Sequence, residues 1–551
     1  MRRGYYLVAV CLLPTTIAYC SNGDDSDETF PEDAATLTDG APLSDTSLPE
    51  DSDDVDGGDS DDASPTFVVD SGLDAPYFAD ECDGGPTTIR WMTPWSTSLD
   101  GGGAPRSFSG SVVFRVRALC VGSQGLDFVV DGAKVAQFSR VAEGSYRVEV
   151  DTSAIADGDH TFLAQSARMP SVSEGVVLTV VNARTRAMPV FPKGLIYTNG
   201  FDGTTPPPGF FTAHPWVGAF GLFVGWSGLE ATWSSPLRVN ALKKIDDALA
   251  YAATVQRPVV LILKSGGDVA PAWVTGDPLF RPTIFADSPT SAGEQTLVPW
   301  DPVVRDYWAN TASELAAKYD NHPWLAGVYV AGVNAEYPEM IFHHPSNDAG
   351  QNDPSAWSNA ADVPPKGIRA TFDDNNAPFS PSGAEYASAW LDQIRRLRSQ
   401  WKRSWQINMV DELFYPHDSG AWLGPMMSVA SAVESSYSGA ATLGTANLGN
   451  VASLKTQKFV LLDDDSTSMT HGAPRYYEIG PKQIPPYDAA ADGGPASYPY
   501  PMAAAVRRCK PGAAGLGCTA AMVFGSSWNA NDASATKLAV CETWPSSTGC
   551  P

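Results

Sequence analysis

Apolar and polar residues alternate along several short runs between residues 66 and 186. The runs are SGSVVFRVRALCV, LDFVVDGAKVAQF, SYRVEVDTSAIADGDHTFLAQSA and GVVLTVVN, and Gly, Asp and Ser separate them. Alternation places every second side chain on one face of a strand, and short alternating strands with polar turns are typical of an antiparallel sandwich. We therefore predict an all-β sandwich over residues 66–186.

After Pro192 the pattern changes to a repeat of strand, loop and helix. The segment PVVLILKSGG is continuously apolar, as expected of a parallel strand that is covered on both faces. Three other segments carry apolar residues at helical spacing. Their stripes are Leu242, Ile245, Leu249 and Ala252; Val304, Trp308, Thr311, Leu315 and Tyr319; and Tyr386, Trp390, Ile394, Leu397 and Trp401.

Eight candidate strands can be counted in this second region. In chain order they are KGLIYTNG, GAFGLFVGW, PVVLILKSGG, LAGVYVAGVN, SWQINMVDE, GAATLGTANLG, KFVLLDDD and AAMVFGSSW. An open doubly wound sheet is the alternative, but no GxGxxG motif follows the first strand. Eight strand–helix units favour an α/β fold, a (β/α)8 TIM barrel with enlarged loops, over residues 187–551.

The amino-terminal part of the chain differs from both regions. Residues 1–20 begin with two arginines and continue with an apolar run that is too short to span a bilayer, which predicts an export signal. Cys20 resembles the lipidated cysteine of a bacterial lipoprotein, although Tyr19 stands where a small residue is usual; cleavage and release is the alternative. Residues 21–65 hold 16 Asp and Glu and no Lys or Arg, so we predict a disordered acidic linker.

Net charge limits the possible partners. The formal net charge of the chain is −27 at pH 7, and no basic patch offsets it. Such a chain repels phosphate backbones, so nucleic acid is not an expected partner. Membrane contact is expected only through a lipid at Cys20, which predicts a cell-surface or outer-membrane lipoprotein, or otherwise a secreted protein.

Six cysteines remain when the two in the export signal are set aside. The four nearest the carboxyl terminus bracket two short loops rich in Gly or Ser, which leaves two to pair in the preceding domain. Other connectivities are possible, but the preferred pairs are Cys82–Cys120, Cys509–Cys518 and Cys541–Cys550. No CxxC or HxxxH motif accompanies them, so disulfides in an oxidising compartment are preferred to zinc ligation.

The candidate chemistry lies at the carboxyl ends of the predicted strands, which form the active-site face of such a barrel. The residues there are Tyr197, Asn199, Trp226, Lys264, Asn334, Glu336, Glu412, Asp463, Asp465 and Trp528, with Trp273 following the third strand. Carboxyl groups supply acid–base chemistry for a glycosidic bond, and aromatic faces stack on pyranose rings. The alternative for each tryptophan is a place in the core.

Two segments resemble known families. VYVAGVNAE resembles the end of strand four in the TIM-barrel glycoside hydrolases with two catalytic glutamates, the clan that includes cellulases and β-galactosidases. The preceding helix, which ends in K-Y-D before an N-x-P turn, is similar to family 42 and family 5 enzymes, and APAW after the third strand and SSW at the eighth also fit. The resemblance implies that Glu336 is the acid/base, that Asn334 binds substrate, and that no cofactor is needed. EVDTSAIADGDHTFLAQSA resembles the last hairpin of bacterial immunoglobulin-like domains, which implies a structural role for the sandwich; carbohydrate binding by this domain is the alternative.

The sequence departs from that clan at two places. Ala335 separates Glu336 from the preceding Asn, whereas the clan has the two adjacent. The predicted seventh strand ends in an Asp run where the clan places its nucleophilic Glu, so Asp463 or Asp465 is the expected partner and Glu412 a further candidate. A shorter Asp leaves three possibilities: an Asp nucleophile, a wider inverting pair, or sugar binding without cleavage.

Two functions therefore remain open. One is an exported glycoside hydrolase that cleaves an extracellular polysaccharide or oligosaccharide with two carboxyl groups. The other is a surface glycan-binding or adhesive protein whose barrel has lost catalysis. Serine and metal hydrolases have less support, because GWSG at 225–228 is not a GxSxG elbow and no HExxH is present. Glu339 with His343 and His344 matches no ligand spacing, so no metal is expected.

Overall fold

The structure describes residues only within the unit Pro76–Pro551. The computed structural model describes residues 86–94, 105–122, 125–142, 144–199, 203–232, 236–265, 270–276, 284–288, 291–297, 302–329, 383–409, 429–433, 435–437, 439–445, 475–479, 501–512, 515–516, 518–524 and 533–551. The predicted export signal and acidic linker lie outside these ranges.

Nine described strands between residues 88 and 180 form two sheets. They are β1 Thr88–Thr93, β2 Arg106–Phe108, β3 Ser111–Leu119, β4 Leu126–Val130, β5 Ala133–Gln137, β6 Ser139–Ala142, β7 Ser145–Asp151, β8 Gly158–Ser166 and β9 Ser173–Val180. One sheet has the order β1-β3-β7-β6, and the other has the order β2-β9-β8-β4-β5. All neighbours pair antiparallel except β2 and β9, which run parallel. The two sheets are called the sandwich below.

Alternate residues of both sheets meet in one apolar core. Phe114 lies 4.7 Å from Phe128 and 5.1 Å from Phe162, measured between ring centroids, and Trp91 meets it edge-on at 5.8 Å. The alternation in the sequence predicts β3 to β5 and β7 to β9. It misses β1, β2 and β6, which are short and carry no clear alternation.

The segment after β9 closes the amino-terminal end of the second region. The Arg186 guanidinium donates to the carbonyl oxygens of His322 at 2.5 Å and Leu325 at 2.6 Å. The Phe191 ring packs 5.3 Å from that of Trp405, and both belong to the interior core. Two main-chain carbonyls are thereby paired with one guanidinium group at this end.

Eight strands in this second region form a closed barrel, in which every neighbouring pair is parallel. They are β10 Gly194–Thr198, β11 Val217–Gly225, β12 Val259–Lys264, β15 Leu325–Tyr329, β16 Trp405–Met409, β17 Ala441–Thr445, β18 Arg475–Ile479 and β21 Ala520–Phe524. Two hairpins, β13 Ile284–Ser288 with β14 Ser291–Leu297 and β19 Pro511–Gly512 with β20 Gly515–Leu516, lie outside the barrel sheet. Because the strands run parallel, their carboxyl ends meet at one rim of the barrel.

The seventh barrel strand is not the predicted one. Arg475–Ile479 pairs with both β17 and β21 and completes the ring, whereas KFVLLDDD lies outside the described residues. The sequence pattern favours KFVLLDDD because its apolar run is the longer one. The observed seventh strand is only five residues long and stands in a segment rich in Pro and Gly.

Alternate residues of each barrel strand face the interior or the helices. The interior core consists of Phe191, Ile196, Ala219, Phe223, Val260, Ile262, Tyr329, Trp405, Ile407, Ala520 and Met522. Their neighbours in the chain, such as Leu195, Leu222 and Leu261, pack into the larger core beneath the helices.

Eight α-helices with described bounds accompany the strands, and residues 429–433 and 435–437 are also helical. The eight are α1 Phe210–Ala213, α2 Trp226–Leu229, α3 Val239–Val255, α4 Ala272–Gly276, α5 Pro302–Tyr319, α6 Gly383–Gln400, α7 Pro501–Arg508 and α8 Ala533–Thr543. The three helices predicted from apolar stripes are α3, α5 and α6. Within the described parts of the chain, we find no helix with the length and apolar character that a membrane span requires.

Helix α5 is buried on nearly every side, although its apolar stripe predicts only one buried face. Val304, Trp308 and Leu315 pack into the core beneath the helices. On another face Asn310 exchanges hydrogen bonds of 2.9 and 2.7 Å with the main chain of Val113 in β3. A helix between a barrel and a sheet needs such polar pairs, because the sheet's main-chain groups would otherwise be buried without partners.

Asp306 of α5 lies at the centre of the contact between sandwich and barrel and is completely buried. Arg115 and Arg147 reach it from the sandwich at 2.6 and 2.8 Å, and Arg396 reaches it from α6 at 2.9 Å. Burial alone would raise the pKa of Asp306, but the guanidinium groups of Arg396, Arg147 and Arg115 more than offset this and hold it below its usual value. Glu149 belongs to the same network. Burial alone would raise its pKa, but the charge of Arg396 and a hydrogen bond from Ser111 outweigh burial and lower the pKa to about 2. We call these five residues the Asp306 cluster.

Gly110 marks the closest approach of the two parts. Its φ is +71°, and a Cβ there would lie 2.4 Å from the main-chain oxygen of Ser399 at the end of α6. Both the left-handed conformation and the missing side chain are therefore needed at this position. Next to it the Gln400 side-chain amide donates to the Ser111 carbonyl at 2.7 Å.

Two of the three predicted disulfides are present. Cys509 pairs with Cys518, and Cys541 with Cys550. Cys120 is also disulfide-bonded, but its predicted partner, Cys82, lies outside the described residues.

Replacing Asp306 with Asn should lower the free energy of unfolding by about 3–5 kcal/mol, because three arginines, two of them buried, lose their shared counter-charge. Chemical denaturation measures this. Asp247→Asn is the control, since Asp247 forms an ion pair in which its side chain is 62% exposed, and a change of at most about 0.5 kcal/mol is expected. A loss below about 1 kcal/mol for Asp306→Asn would contradict the central place of this carboxylate.

Candidate functional site

The rim formed by the carboxyl ends of the barrel strands is where five predicted site residues can be located. These are Tyr197, Asn199, Trp226, Lys264 and Trp273. Asn334, Glu336, Glu412, Asp463, Asp465 and Trp528 lie outside the described residues, and their roles stay predictions. Position on the rim alone does not decide whether a side chain faces the barrel mouth, so each is considered below.

Lys264 is the last residue of β12 and lies in the interior-facing row. It pairs in register with Gly225, two residues beyond the pairing of Phe223 with Ile262, both of which belong to the interior core. Its Nζ lies 5.6 Å from the centroid of the Phe223 ring, and the residue is buried. Contact with a ring face eases the burial of an ammonium group. The arrangement places a cation in the wall of the barrel at its rim.

Tyr197 and Asn199 do not share that orientation. Tyr197 lies in the row facing the helices, its ring 4.1 Å from that of Phe210, and burial raises the pKa of its phenol. The phenol donates to Asn199 Oδ1 at 3.1 Å, and Asn199 Nδ2 donates to Thr204 Oγ1 at 2.7 Å. This pair therefore fixes the loop after β10. The strand position facing the interior is Thr198, two residues after Ile196 of the interior core; position at the strand end alone does not identify it, because alternate residues face opposite sides.

Trp226 and Trp273 form an aromatic cluster beneath the rim rather than an open platform. Trp226 follows β11 directly, is fully buried, and meets Trp273 edge-on at 5.8 Å and Trp308 of α5 at 5.3 Å. Trp273 in turn lies 5.4 Å from Tyr307 and is 8% exposed. A tryptophan without an exposed face cannot stack on a sugar, so the packing corrects the expectation for Trp226. Trp226 has no exposed face because three elements, α2, α4 and α5, meet at this position.

A buried carboxylate supports this cluster. The Trp226 indole donates to Glu230 Oε2 at 2.9 Å, and Arg106 of β2 donates to Glu230 Oε1 at 3.2 Å. Arg106 also donates through Nε to Glu314 Oε2 at 3.0 Å. Burial raises the pKa of Glu230, and the charge of Arg106 and the Trp226 hydrogen bond act against that rise. Sequence reasoning missed Glu230 because its partner is more than a hundred residues away in the chain.

The revised seventh strand brings another carboxylate-bearing residue to the rim. Glu478 is the next-to-last residue of β18 and pairs in register with Met522, which belongs to the interior core. Parallel neighbours in register share a face of the sheet, so Glu478 occupies an interior-row position near the carboxyl end of its strand. The signal in the sequence was the aromatic pair and isoleucine of RYYEI, a short run with strand character.

Among the residues described by the structure, no group of three or more His, Cys, Asp and Glu is arranged to hold a metal ion.

Comparisons with known proteins add little. No family model matches the sequence, and no curated protein matches it. Among solved structures, the catalytic domain of a β-amylase from Paenibacillus polymyxa is 11% identical, with 65% of this chain and 100% of that chain covered and a TM-score of 0.39. A Bacteroides ovatus GH5 xyloglucanase is 8% identical, with 82% and 100% covered and a TM-score of 0.33.

An endo-β-1,4-mannanase from Thermotoga petrophila is 17% identical with a TM-score of 0.15, and the match covers 18% of this chain and only 20% of that one. All three neighbours are glycoside hydrolases by name. Identities and TM-scores this low carry no argument about activity.

Replacing Trp226 with Ala should lower the free energy of unfolding by about 3–5 kcal/mol, because it opens a cavity between two other tryptophans. Chemical denaturation measures the loss, and Trp324→Ala, at a half-buried ring, should cost less. Full stability with a selective loss of glycan binding would instead restore Trp226 to a sugar-stacking role.

Proposed function

We propose that this protein is an exported glycoside hydrolase that cleaves O-glycosidic bonds of an extracellular polysaccharide or oligosaccharide with two carboxyl groups. In this proposal the second region is a TIM barrel of the two-glutamate clan. The observation that carries the proposal is the position of Glu478 in the seventh strand of a closed parallel barrel. The clan that VYVAGVNAE resembles places its nucleophilic Glu at the end of this strand.

The correction of strand seven removes one of the two departures from that clan. With KFVLLDDD as the seventh strand, an Asp stood where the clan has Glu. With Arg475–Ile479 in that place, a Glu stands there. The case for Asp463 and Asp465 therefore weakens, and Glu412 after β16 is kept as the alternative partner. Glu336, which follows β15 in the chain, keeps its proposed role as acid/base.

The proposed chemistry follows from the strand order. The fourth and seventh strands of an eight-stranded ring are three strands apart, so groups at their carboxyl ends face each other across part of the mouth. Glu336 would protonate the departing glycosidic oxygen, while Glu478 would attack the sugar carbon or activate water. Lys264 supplies positive charge at the same rim and is proposed to bind substrate oxygens. No cofactor is required.

The sandwich is proposed to be an immunoglobulin-like domain with a structural role. Two sheets with one core and the D-T-S and D-G-x-H pattern of β7 and β8 support this. Its contacts with α5 and α6 make it a support of the barrel rather than a separate sugar-binding module.

The activity test uses the full chain on a panel of plant, algal and microbial polysaccharides, with analysis of the products. Glu336→Gln and Glu478→Gln should each lower kcat/KM by roughly a thousandfold or more, because each removes one of two carboxyl groups that the reaction needs. Glu339→Gln is the matched control, also after strand four, and should stay within about twofold of the parent.

The possible outcomes separate the proposals. Activity that survives Glu478→Gln but not Glu412→Gln would move the second role to Glu412. Activity that survives Glu336→Gln would refute the acid/base assignment. Binding of one polysaccharide without cleavage, unchanged in both variants, would favour the glycan-binding alternative.

The protein is proposed to act outside the cytoplasm, tethered through a lipid on Cys20. The two disulfides near the carboxyl terminus suit an oxidising compartment. Cys20→Ala should move the protein from the membrane fraction to the soluble exported fraction, whereas Cys11→Ala should not. If the parent and the Cys20 variant divide in the same way between the membrane fraction and the soluble exported fraction, the chain is cleaved and released rather than tethered by a lipid.

A further inference from the structure

Glu230 lies where the sandwich comes nearest to the end of barrel strand β11. The strand ends at Gly225, α2 follows as a single turn, and the Glu230 amide closes that turn on the Trp226 carbonyl at 3.1 Å. Both oxygens of the Glu230 carboxylate are used: one accepts from the Trp226 indole and the other from Arg106. The carboxylate thus links an arginine of the sandwich to the residue that follows the strand.

Arg106 is the cation described next to this carboxylate. It comes from β2, is buried, and is shared between Glu230 and Glu314 of α5. The charge of these two carboxylates outweighs the burial of Arg106 and raises the pKa of its guanidinium, which stays charged. A buried carboxylate that loses such a partner becomes an uncompensated charge, which is strongly destabilising for its surroundings.

The groups around Glu230 connect it to the rim. Trp226 packs on Trp273 of α4, which follows the third barrel strand, and on Trp308 of α5. Gly225, its chain neighbour, pairs with Lys264. Trp226 is therefore linked to the ends of two adjacent barrel strands, to β11 through the chain and to Lys264 of β12 through the Gly225 pairing.

We propose that Arg106 of the sandwich is a positioning residue for the barrel rim: it supplies the counter-charge that fixes Glu230, and through Glu230 it holds Trp226 and the end of β11. This inference rests on the proposed function for its catalytic consequence but not for its structural one. It gives the sandwich a specific part in the reaction, although no residue of the sandwich need touch the substrate.

The test compares Arg106→Met with Arg147→Met in the full chain. Arg147 is a sandwich arginine of the same interface. It pairs with Asp306 and Glu149 and not with Glu230 in the turn after β11. Hydrogen exchange should accelerate about tenfold or more across residues 226–230 in Arg106→Met, and less than about twofold there in Arg147→Met. On a polysaccharide that the parent cleaves, kcat/KM should fall about tenfold only in Arg106→Met.

Further substitutions separate positioning from loss of packing. In Arg106→Met with Glu230→Gln and Glu314→Gln, both carboxylates that Arg106 neutralises are uncharged, while the amide oxygen at position 230 can still accept from the Trp226 indole. Exchange and kcat/KM should return to within about threefold of the parent. If Arg106→Met does not fold, Arg106→Lys replaces it, because lysine keeps the charge but lacks the planar fork that spans both carboxylates; an exchange increase of about threefold is then expected.

Each result decides the proposal. Unchanged exchange at residues 226–230 in Arg106→Met would overturn it, as would equal effects of the Arg106 and Arg147 variants. Faster exchange with full kcat/KM would also overturn the positioning role. If the parent cleaves no polysaccharide, the proposed hydrolase function fails, while the exchange data still decide whether Arg106 holds the turn.

Discussion

The described structure depends on one buried carboxylate with three arginine partners. Asp306 has no exposed surface, and its charge is tolerable only because Arg115, Arg147 and Arg396 surround it. Two of these arginines belong to the sandwich and one to α6. Removing the sandwich would take away two of the three guanidinium partners, and losing partners of a fully buried charge costs several kcal/mol. The sandwich and the barrel are therefore parts of one folded body, not modules joined by a tether.

This constraint extends along the side of the barrel. Strand β3 follows α5 and α6 from Ser111, which receives a hydrogen bond from Gln400, to Arg115 at Asp306. Arg106 continues the contact to the turn after β11, where Glu230 and Trp226 support the rim. The same interface that stabilises the fold thus reaches residues that adjoin the proposed site.

Much of the architecture could be predicted from local pattern. Alternation found most sandwich strands, and helical stripes found α3, α5 and α6, because each pattern reflects one buried face. The polar contacts of α5 could not be predicted, since Asp306 and Asn310 find their partners about two hundred residues away. A stripe predicts one buried face and leaves the other to solvent, unless a second domain covers it.

The site was harder to predict than the fold. The predicted strand ends are accurate enough to place Lys264 at the rim. Which face a side chain lies on depends on alternation along the strand, and Tyr197 faces the helices whereas Thr198 lies in the interior row. Trp226 was chosen for its position, yet tryptophan is usually buried, and here three elements enclose it. Glu478 was missed because a short strand between Pro-rich segments gives a weaker signal than a longer apolar run.

Differential scanning calorimetry of the full chain tests the central claim, that the sandwich and the barrel form one cooperative body. The account predicts a single unfolding transition for the two parts, which Arg147→Met shifts as a whole to lower temperature. Two separate transitions in the parent, with only one of them moved by this substitution, would contradict it, because domains that unfold independently cannot depend on a shared buried charge.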